Sequence, residues 1–390
     1  MKFGENLGGI IDTNTLISGF TIQKGQSNNY GGGIYIKDCS PSFLNVTITE
    51  CAANFNGGGF YIRSGSPNIT EVDIINNSAN RGSGIYCQDY AHPQLTDVKI
   101  SGNIAGNQGG GFGCYNYCNP KLKNVLISDN IADEGGGIYS FYCYAPGAIL
   151  SNVTIVSNTG SFGGGIYCKR SGINLVNSIL WNNSPQEVYF SDLANSNSIM
   201  ITYSSIQGGE NEIVVNDNGT VYWLEGNIES DPLFVEPEND IYILQQGSPC
   251  IDSGTAFFVW EGDTLVNMSN NEYFGSAPDM GVYEYEGMFI SNLTHEIPRK
   301  FTLHQNYPNP FNPVTNIRYD LPKDSDVFLA VYDLLGREVA VLVSGNMVSG
   351  AHEVVWNGKD KFNNPVSAGV YIYRINTTGF NEVKKLLLIK

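Results

Sequence analysis

Residues able to do chemistry are few in this chain. Up to residue 290 there is one histidine, His92, in the turn Tyr90-Ala91-His92-Pro93. A lone turn histidine of this kind reads as solvated. No His-Glu-x-x-His, Cys-x-x-Cys or Gly-x-Ser-x-Gly arrangement occurs, and the glycine triplets lack the lysine and helix of a phosphate loop. Proton abstraction beside a carboxylate-held Ca²⁺ would need a base next to acids. The bases Lys37, Arg63, Arg81, Lys99, Lys121, Lys123, Lys169 and Arg170 do not share one column beside acids. Hydrolysis by paired carboxylates would draw on Asp129, Asp133 and Glu134, but these decorate a turn that holds Asn and Ala in equivalent positions. Asp217, Asp231, Asp240, Asp252, Asp263 and Asp279 carry the ligand type for Ca²⁺. Their spacing does not repeat, so they read as solvating charges. No cofactor is expected, and Ca²⁺ is the one ion the acidic segment would suit.

The elements that must position such residues are read from composition and repeats. The 390 residues carry a net charge of −17, and residues 171–298 hold 19 acids with no Lys or Arg. Such a surface repels phosphate backbones, which argues against nucleic acid. No apolar run is long enough to span a membrane. The first residues lack the basic and then apolar pattern of a secretory signal, and they read like the middle of a repeat, so a missing N-terminus is expected.

Three signals recur with one period. Glycine-rich pentapeptides begin at Gly31, Gly57, Gly82, Gly109, Gly135 and Gly163, in steps of 26, 25, 27, 26 and 28 residues. A Pro-x-apolar-x-polar-Val-x-Ile pattern starts at Pro41, Pro67, Pro93 and Pro120. Asn77, Asn103, Asn130 and Asn158 precede the glycine runs, and stacked turns would let each amide bond the next as a ladder. Short period-two strands with no helix between them describe the coils of a β-solenoid. Ile34, Phe60, Ile85, Phe112, Ile138 and Ile166 then form an inward column. Tyr35, Tyr61, Tyr86, Tyr139 and Tyr167 face outward, with a break at Gly113. That tyrosine column is either a stack that stabilises the sheet or a platform for sugar rings. Cys87, Cys114 and Cys168 fall in an inward column, where Cys serves as a small apolar filler or, between Cys87 and Cys114, allows a bridge.

These motifs resemble the right-handed parallel β-helix family, which includes pectate lyase-like proteins and bacterial surface proteins with GGGIY-type repeats. The resemblance implies an all-β, right-handed solenoid over residues 1–287, clearest at 15–180. Residues 182–287, which hold Gln246 to Gly254 and Pro278 to Tyr285, are expected to close the last coils as a cap.

Residues 288–300 read as a linker, followed by six or seven short strands over 301–390 that suggest a small immunoglobulin-like β-sandwich. Tyr307 to Thr315 contains Pro308, Asn309, Pro310, Phe311, Asn312 and Pro313. With Asp333 to Val339 around Gly336, Ser367 to Tyr373 around Gly369, and the tail from Lys384 and Lys385 onward, it closely resembles the C-terminal sorting domain of type IX secretion cargo. It is also similar to the Ig-like domain of flagellar hook-cap proteins. The resemblance implies export across the outer membrane of a Gram-negative bacterium, with the type IX machinery as partner and a secreted or cell-surface location. The expected function is non-catalytic display of a surface that binds extracellular glycan or surface protein. The alternative is a polysaccharide lyase or glycoside hydrolase on the same fold.

Overall fold

The computed structural model describes all residues except 5–10, 145, 194–195, 287–299, 363, 378 and 390. The expected linker, 288–300, lies outside the described residues apart from Lys300. Two compact units divide the chain, residues 1–288 and 289–390.

The first unit arises from its repeat. When successive coils have nearly equal length, each short strand meets its counterpart in the next coil and pairs with it in parallel, about 4.8 Å away. Among the described residues, one such sheet runs from Lys2–Gly4 through Ile34–Lys37, Phe60–Arg63, Ile85–Gln88, Phe112–Tyr115, Ile138–Phe141 and Ile166–Lys169 to Val188–Phe190. A second, with longer strands, runs from Leu16–Gln23 through Ser42–Thr49, Asn68–Ile75, Gln94–Ser101, Lys121–Ser128 and Ala148–Val156 to Gly219–Trp223. A third links the short strands Gln26–Ser27, Ala52–Ala53, Ser78–Arg81 and Ile104–Gln108. The result is a parallel β-solenoid of about eight turns. Its interior is one continuous apolar core that includes the Ile34 to Ile166 column.

Period-two alternation alone does not explain the long strands. Ile69 and Val72 both point into the core although they are three residues apart. The polar residue between them in the repeat, Glu71, has φ 53° and is skipped in the pairing with the next coil. Asn45, Asp97, Asn124 and Asn152 do the same in their own coils, with φ between 53° and 55°. A left-handed residue resets the alternation, and Asn and Asp tolerate that backbone best. Glycines solve the opposite corner. A Cβ on Gly58 would lie 2.6 Å from two carbonyl oxygens of the next coil, those of Ser78 and Ser83, so only glycine admits this close approach.

Asn77, Asn103, Asn130 and Asn158 lie inside the coil, at most 1% exposed. The Oδ1 atom of Asn130 accepts both the backbone N–H and the amide N–H of Asn103, and Asn130 repeats the arrangement on Asn158. Each amide also donates to a backbone carbonyl, Ile100 in the case of Asn130. The ladder starts at the Cys51 N–H and continues through Asn183 to the buried carboxylate of Glu187, which accepts two bonds from Asn183.

The C-terminal part of this unit leaves the regular coil path. Coil pairing continues as far as the Ser205–Ile228 bridge. Beyond that bridge, much of the chain lies along the outer face of the long-strand sheet. Phe234, Tyr242, Leu244, Cys250 and Met280 pack on Leu126, Val156 and Ile179, while Val266 packs on Val176 and Met200. Asn177 donates to Thr255 O and accepts from Thr255 N–H, and Val282 N–H donates to Thr154 Oγ1. The physical reason is that Leu126, Val156, Val176, Ile179 and Met200 bring apolar side chains to the outer face, and under their cover Ala148–Val156 is buried on both faces. Such a sheet needs a second layer.

The second unit is a β-sandwich of a three-stranded antiparallel sheet and a four-stranded antiparallel sheet. Its core holds Phe311, Trp356, Tyr373 and Leu386.

Two outcomes test the ladder. Asn130→Ala leaves several buried donors and acceptors without partners at about 1–3 kcal/mol each, so urea denaturation should show a loss of at least about 2 kcal/mol. Burial pushes the Glu187 carboxyl up to about 7. Its protonated form is therefore favoured by folding, and that stabilisation is complete below the ordinary value of 4.5 and lost as pH rises through 7. The melting temperature of the protein relative to Glu187→Gln should accordingly fall between pH 4.5 and 7.5, and a pH-independent difference would contradict this assignment.

Candidate functional site

Of the two readings of the tyrosine column, a stack or a platform, its packing is that of a stack. The five rings do lie on the outer side of the short-strand sheet, where they stack: Tyr35 on Tyr61 at 5.1 Å, Tyr61 on Tyr86 at 5.9 Å and Tyr139 on Tyr167 at 5.5 Å between centroids. Tyr61, Tyr86, Tyr139 and Tyr167 are nevertheless only 2–4% exposed, and Tyr35 is half-buried beneath the Lys2 ammonium. The chain covers them itself. Gly31 and Gly82, which begin their glycine runs, fold back so far that a Cβ there would lie 2.8 and 2.6 Å from the Cβ of Tyr35 and Tyr86. Tyr30 stacks on Tyr61 at 4.8 Å, and the Tyr61 hydroxyl donates to Gln88 Oε1. Desolvation accordingly raises the phenol pKa of Tyr61, Tyr86, Tyr139 and Tyr167. Where Gly113 breaks the column, Tyr115 from the neighbouring column stacks on Tyr86 at 6.5 Å.

A different tyrosine row is open. Tyr90, Tyr117 and Tyr144 occupy successive coils at the corner after the short-strand sheet and are 62, 46 and 37% exposed. Their centroids are 5.2 and 6.0 Å apart. Tyr90 and Tyr117 hold φ of 62° and 58°, and each follows another left-handed residue, Asp89 or Asn116. Two adjacent left-handed residues, one of them bulky, are costly, and such strain is concentrated at functional surfaces. Beside the row, Tyr142 lies under the Arg170 guanidinium, whose centre is 5.0 Å from the ring centroid, and accepts a hydrogen bond from it. Arg63 pairs with Asp89, whose other oxygen accepts from Asn116. The period of the glycine pentapeptides does not reveal this row. The available signal was an aromatic residue at steps of 27 in a turn.

Several of the remaining candidates take up structural duties. His92 is not simply solvated, because its Nδ1 accepts the Asn119 N–H at 3.1 Å, which ties two coils together, and burial lowers its pKa in keeping with a neutral ring. Lys37 pairs with Asp38 and Lys123 with Glu272. Asp129 faces Tyr242, and Glu134 accepts from Gln108. Asp252 accepts from the Ser276 and Ala277 N–H groups, Asp279 from Asp252 and Tyr285, and Asp231 from Leu233. Among the described residues, no three His, Cys, Asp or Glu side chains converge as a metal site. Cys87 and Cys114 are partners across two coils, with both thiols buried.

In the second unit, Phe311 is 1% exposed and packs on Trp356 at 5.5 Å, while its N–H donates to Leu387 O. Asn309 bonds both Leu387 N–H and Lys385 O, which straps Pro308, Pro310, Asn312 and Pro313 to the last strand. Gly336, with φ 77°, closes the turn held by Asp333. Gly369 opens strand Gly369–Thr377, and on strand Phe380–Leu388 Lys384 pairs with Glu382 while Lys385 is exposed. The buried Tyr373 hydroxyl bridges His304 O and Asn306 N–H.

A stacked-coil, parallel all-β architecture of this kind defines the class of β-helix proteins. Residues 32–231, more than half of the chain, match the family described as right-handed β-helix region, and the chain belongs to that family. Residues 312–379 match the FlgD Ig-like domain. No curated protein matches the chain. Among solved structures it is similar to dimeric latent PorU from Porphyromonas gingivalis (22% identity, 23% of this chain, 9% of that chain, TM-score 0.20). Others are FlgD from P. aeruginosa (27%, 19%, 59%, 0.17) and PorZ from P. gingivalis, described as an essential surface component of its type IX secretion system (22%, 22%, 11%, 0.17). The chain thus spans less than two thirds of each.

Since the covered tyrosine column is packed, Tyr61→Ala should cost roughly 3 kcal/mol or more in stability, read by thermal denaturation, whereas Tyr61→Phe should lose only the hydrogen bond to Gln88, roughly 1 kcal/mol. Equal effects would argue against a packed ring.

Proposed function

We propose that the chain is a non-catalytic display protein of the bacterial surface that binds a linear extracellular glycan along its solenoid, with the second unit as the export signal read by type IX secretion machinery. The observation that carries the binding reading is the exposed, strained row Tyr90, Tyr117 and Tyr144. A polymer laid along the solenoid axis meets one phenol per coil, so weak contacts of the same kind add up. Tyrosine offers apolar ring surface and a hydroxyl that suit a sugar, and Arg170 with Asn116 supplies further polar groups at the same corner. The scattering of bases and carboxylates into structural pairs favours binding over cleavage. The sorting role rests on the Tyr307 to Thr315 motif and on the match of residues 312–379 to an Ig-like domain. A secreted or outer-membrane surface location follows from that role.

The test is affinity electrophoresis of the solenoid against a panel of neutral and acidic polysaccharides. Retardation by at least one glycan is expected, and it should disappear in a Tyr90→Ala, Tyr117→Ala, Tyr144→Ala variant while surviving Tyr61→Phe. Retardation that persists in the triple variant would sink the reading, as would release of new reducing ends or unsaturated products.

A further inference from the structure

Two cysteines meet at one corner of the solenoid interior. Cys118 and Cys143 follow the short strands Phe112–Tyr115 and Ile138–Phe141, which pair with Tyr115 opposite Phe141. Pairing continues past the strand ends, where the Tyr117 N–H donates to Tyr142 O at 2.8 Å. The Cys118 thiol then donates back to Tyr115 O at 3.2 Å, and the Cys143 thiol back to Phe141 O at 3.4 Å. Those two carbonyls belong to facing residues one coil spacing apart, about 4.8 Å. The two sulfurs therefore hang at matching points of adjacent coils. Both cysteines are 0% exposed and belong to the same apolar core.

Backbone geometry separates this pair from the other cysteines of the core. Cys87 and Cys114 are strand partners, and Ser140 stands between Cys114 and Cys168 in the same column. Strand partners keep a spacing of about 4.7–4.9 Å, wider than the roughly 3.5–4.5 Å between Cβ atoms that a disulfide needs. The corner is not held to that spacing. The coil of Cys118 bends through two left-handed residues, Asn116 and Tyr117, whereas the coil of Cys143 uses one, Tyr142. The two cysteines are thus offset and not stacked as a ladder pair, which lets their Cβ atoms approach. Hydrogen bonds from the Cys114 and Cys118 thiols lower the Cys143 pKa, whereas burial raises that of Cys118. Cys143 is accordingly the thiol that ionises first.

We propose that Cys118 and Cys143 are a disulfide site that staples two consecutive coils beside the open tyrosine row. The oxidant is a small disulfide of the glutathione kind. The Cys143 thiolate attacks one sulfur of the oxidant, which leaves a mixed disulfide and releases one thiolate. The Cys118 sulfur, once deprotonated, attacks the Cys143 sulfur and expels the second thiolate. One S–S bond replaces another, two electrons pass to the oxidant, and its two thiolates take up the two protons. The site does not rest on the glycan reading.

Neighbouring coils show which variants the corner accepts. Alanine holds the place of Cys118 one coil earlier, as the buried Ala91. Serine holds the place of Cys143 one coil later, as Ser171, whose Oγ accepts the Cys143 N–H. Cys118→Ala and Cys143→Ser should therefore fold. The full chain is incubated with oxidised glutathione at a urea concentration below its unfolding midpoint. Remaining thiols are then alkylated in full denaturant and the digest is mapped by mass spectrometry. A cross-linked peptide pair joining Cys118 to Cys143 is expected, with Cys87, Cys114 and Cys168 alkylated. The bridge closes one coil as a covalent loop and should raise the melting temperature by roughly 5 °C or more. Reductant should remove that gain, and neither variant should show it. Absence of the bridge, pairing of either cysteine with Cys87 or Cys114, or a gain that persists in Cys118→Ala would each overturn the proposal.

Discussion

The structure of the first unit depends on the parallel hydrogen-bonding of each coil to the next. Once that spacing is imposed, no position is independent, because a residue must suit both its own place and the same place one coil above and below. The buried asparagines express the constraint most fully. An isolated amide in an apolar interior would be destabilising by several kcal/mol. Stacked at the coil spacing, Asn77 to Asn183 satisfy one another and the carbonyls of the preceding strands. The column ends only when Glu187 offers two acceptor oxygens in place of a further amide.

The same constraint governs the outer surface, where it separates two kinds of tyrosine. The ring in each short strand is fixed in direction by its strand and then covered by the glycine turn before it, so its hydroxyl and faces are spent on neighbouring coils. At the next corner the chain bends through left-handed residues, and the side chains of Tyr90 and Tyr117 are thrown clear of the body. Repetition therefore produces both a packed aromatic column and an open aromatic row a few residues apart. Only the second has ring surface left for another molecule.

Much of the solenoid was legible in the sequence, because the glycine runs and the Val-x-Ile pattern carry the period directly. The inward column from Ile34 to Ile166 could be read from alternation. Three features could not be read that way. Alternation predicts that a tyrosine between two inward residues points outward, but not that a glycine turn will cover it. The skipped residues at Asn45, Glu71 and Asp97 appear in the sequence only as an inward spacing of three, which strict period two overlooks. The covering segment was announced by the loss of charge along one outward column, from Asp73 and Lys99 to Leu126, Thr154 and Ile179, a signal that exists only after the coils are aligned. In the second unit, Asn306 and Tyr373 hold the entry strand through a buried hydroxyl, and nothing in local composition distinguishes them from surface residues.

The covering segment also divides the solenoid along its length. From Leu126 onward the long strands are sandwiched, and Lys123, Asn152, Thr154 and Asn177 are fastened to residues far away in sequence. Among the described residues, the coils before that of Leu126 are held by hydrogen bonds to their neighbouring coils. In a one-dimensional stack of this kind, resistance to opening is set locally. The early coils thus form a compliant stretch and the later ones a braced stretch, so that tension along the axis would be relieved among the early coils first, one at a time, while the braced part released together.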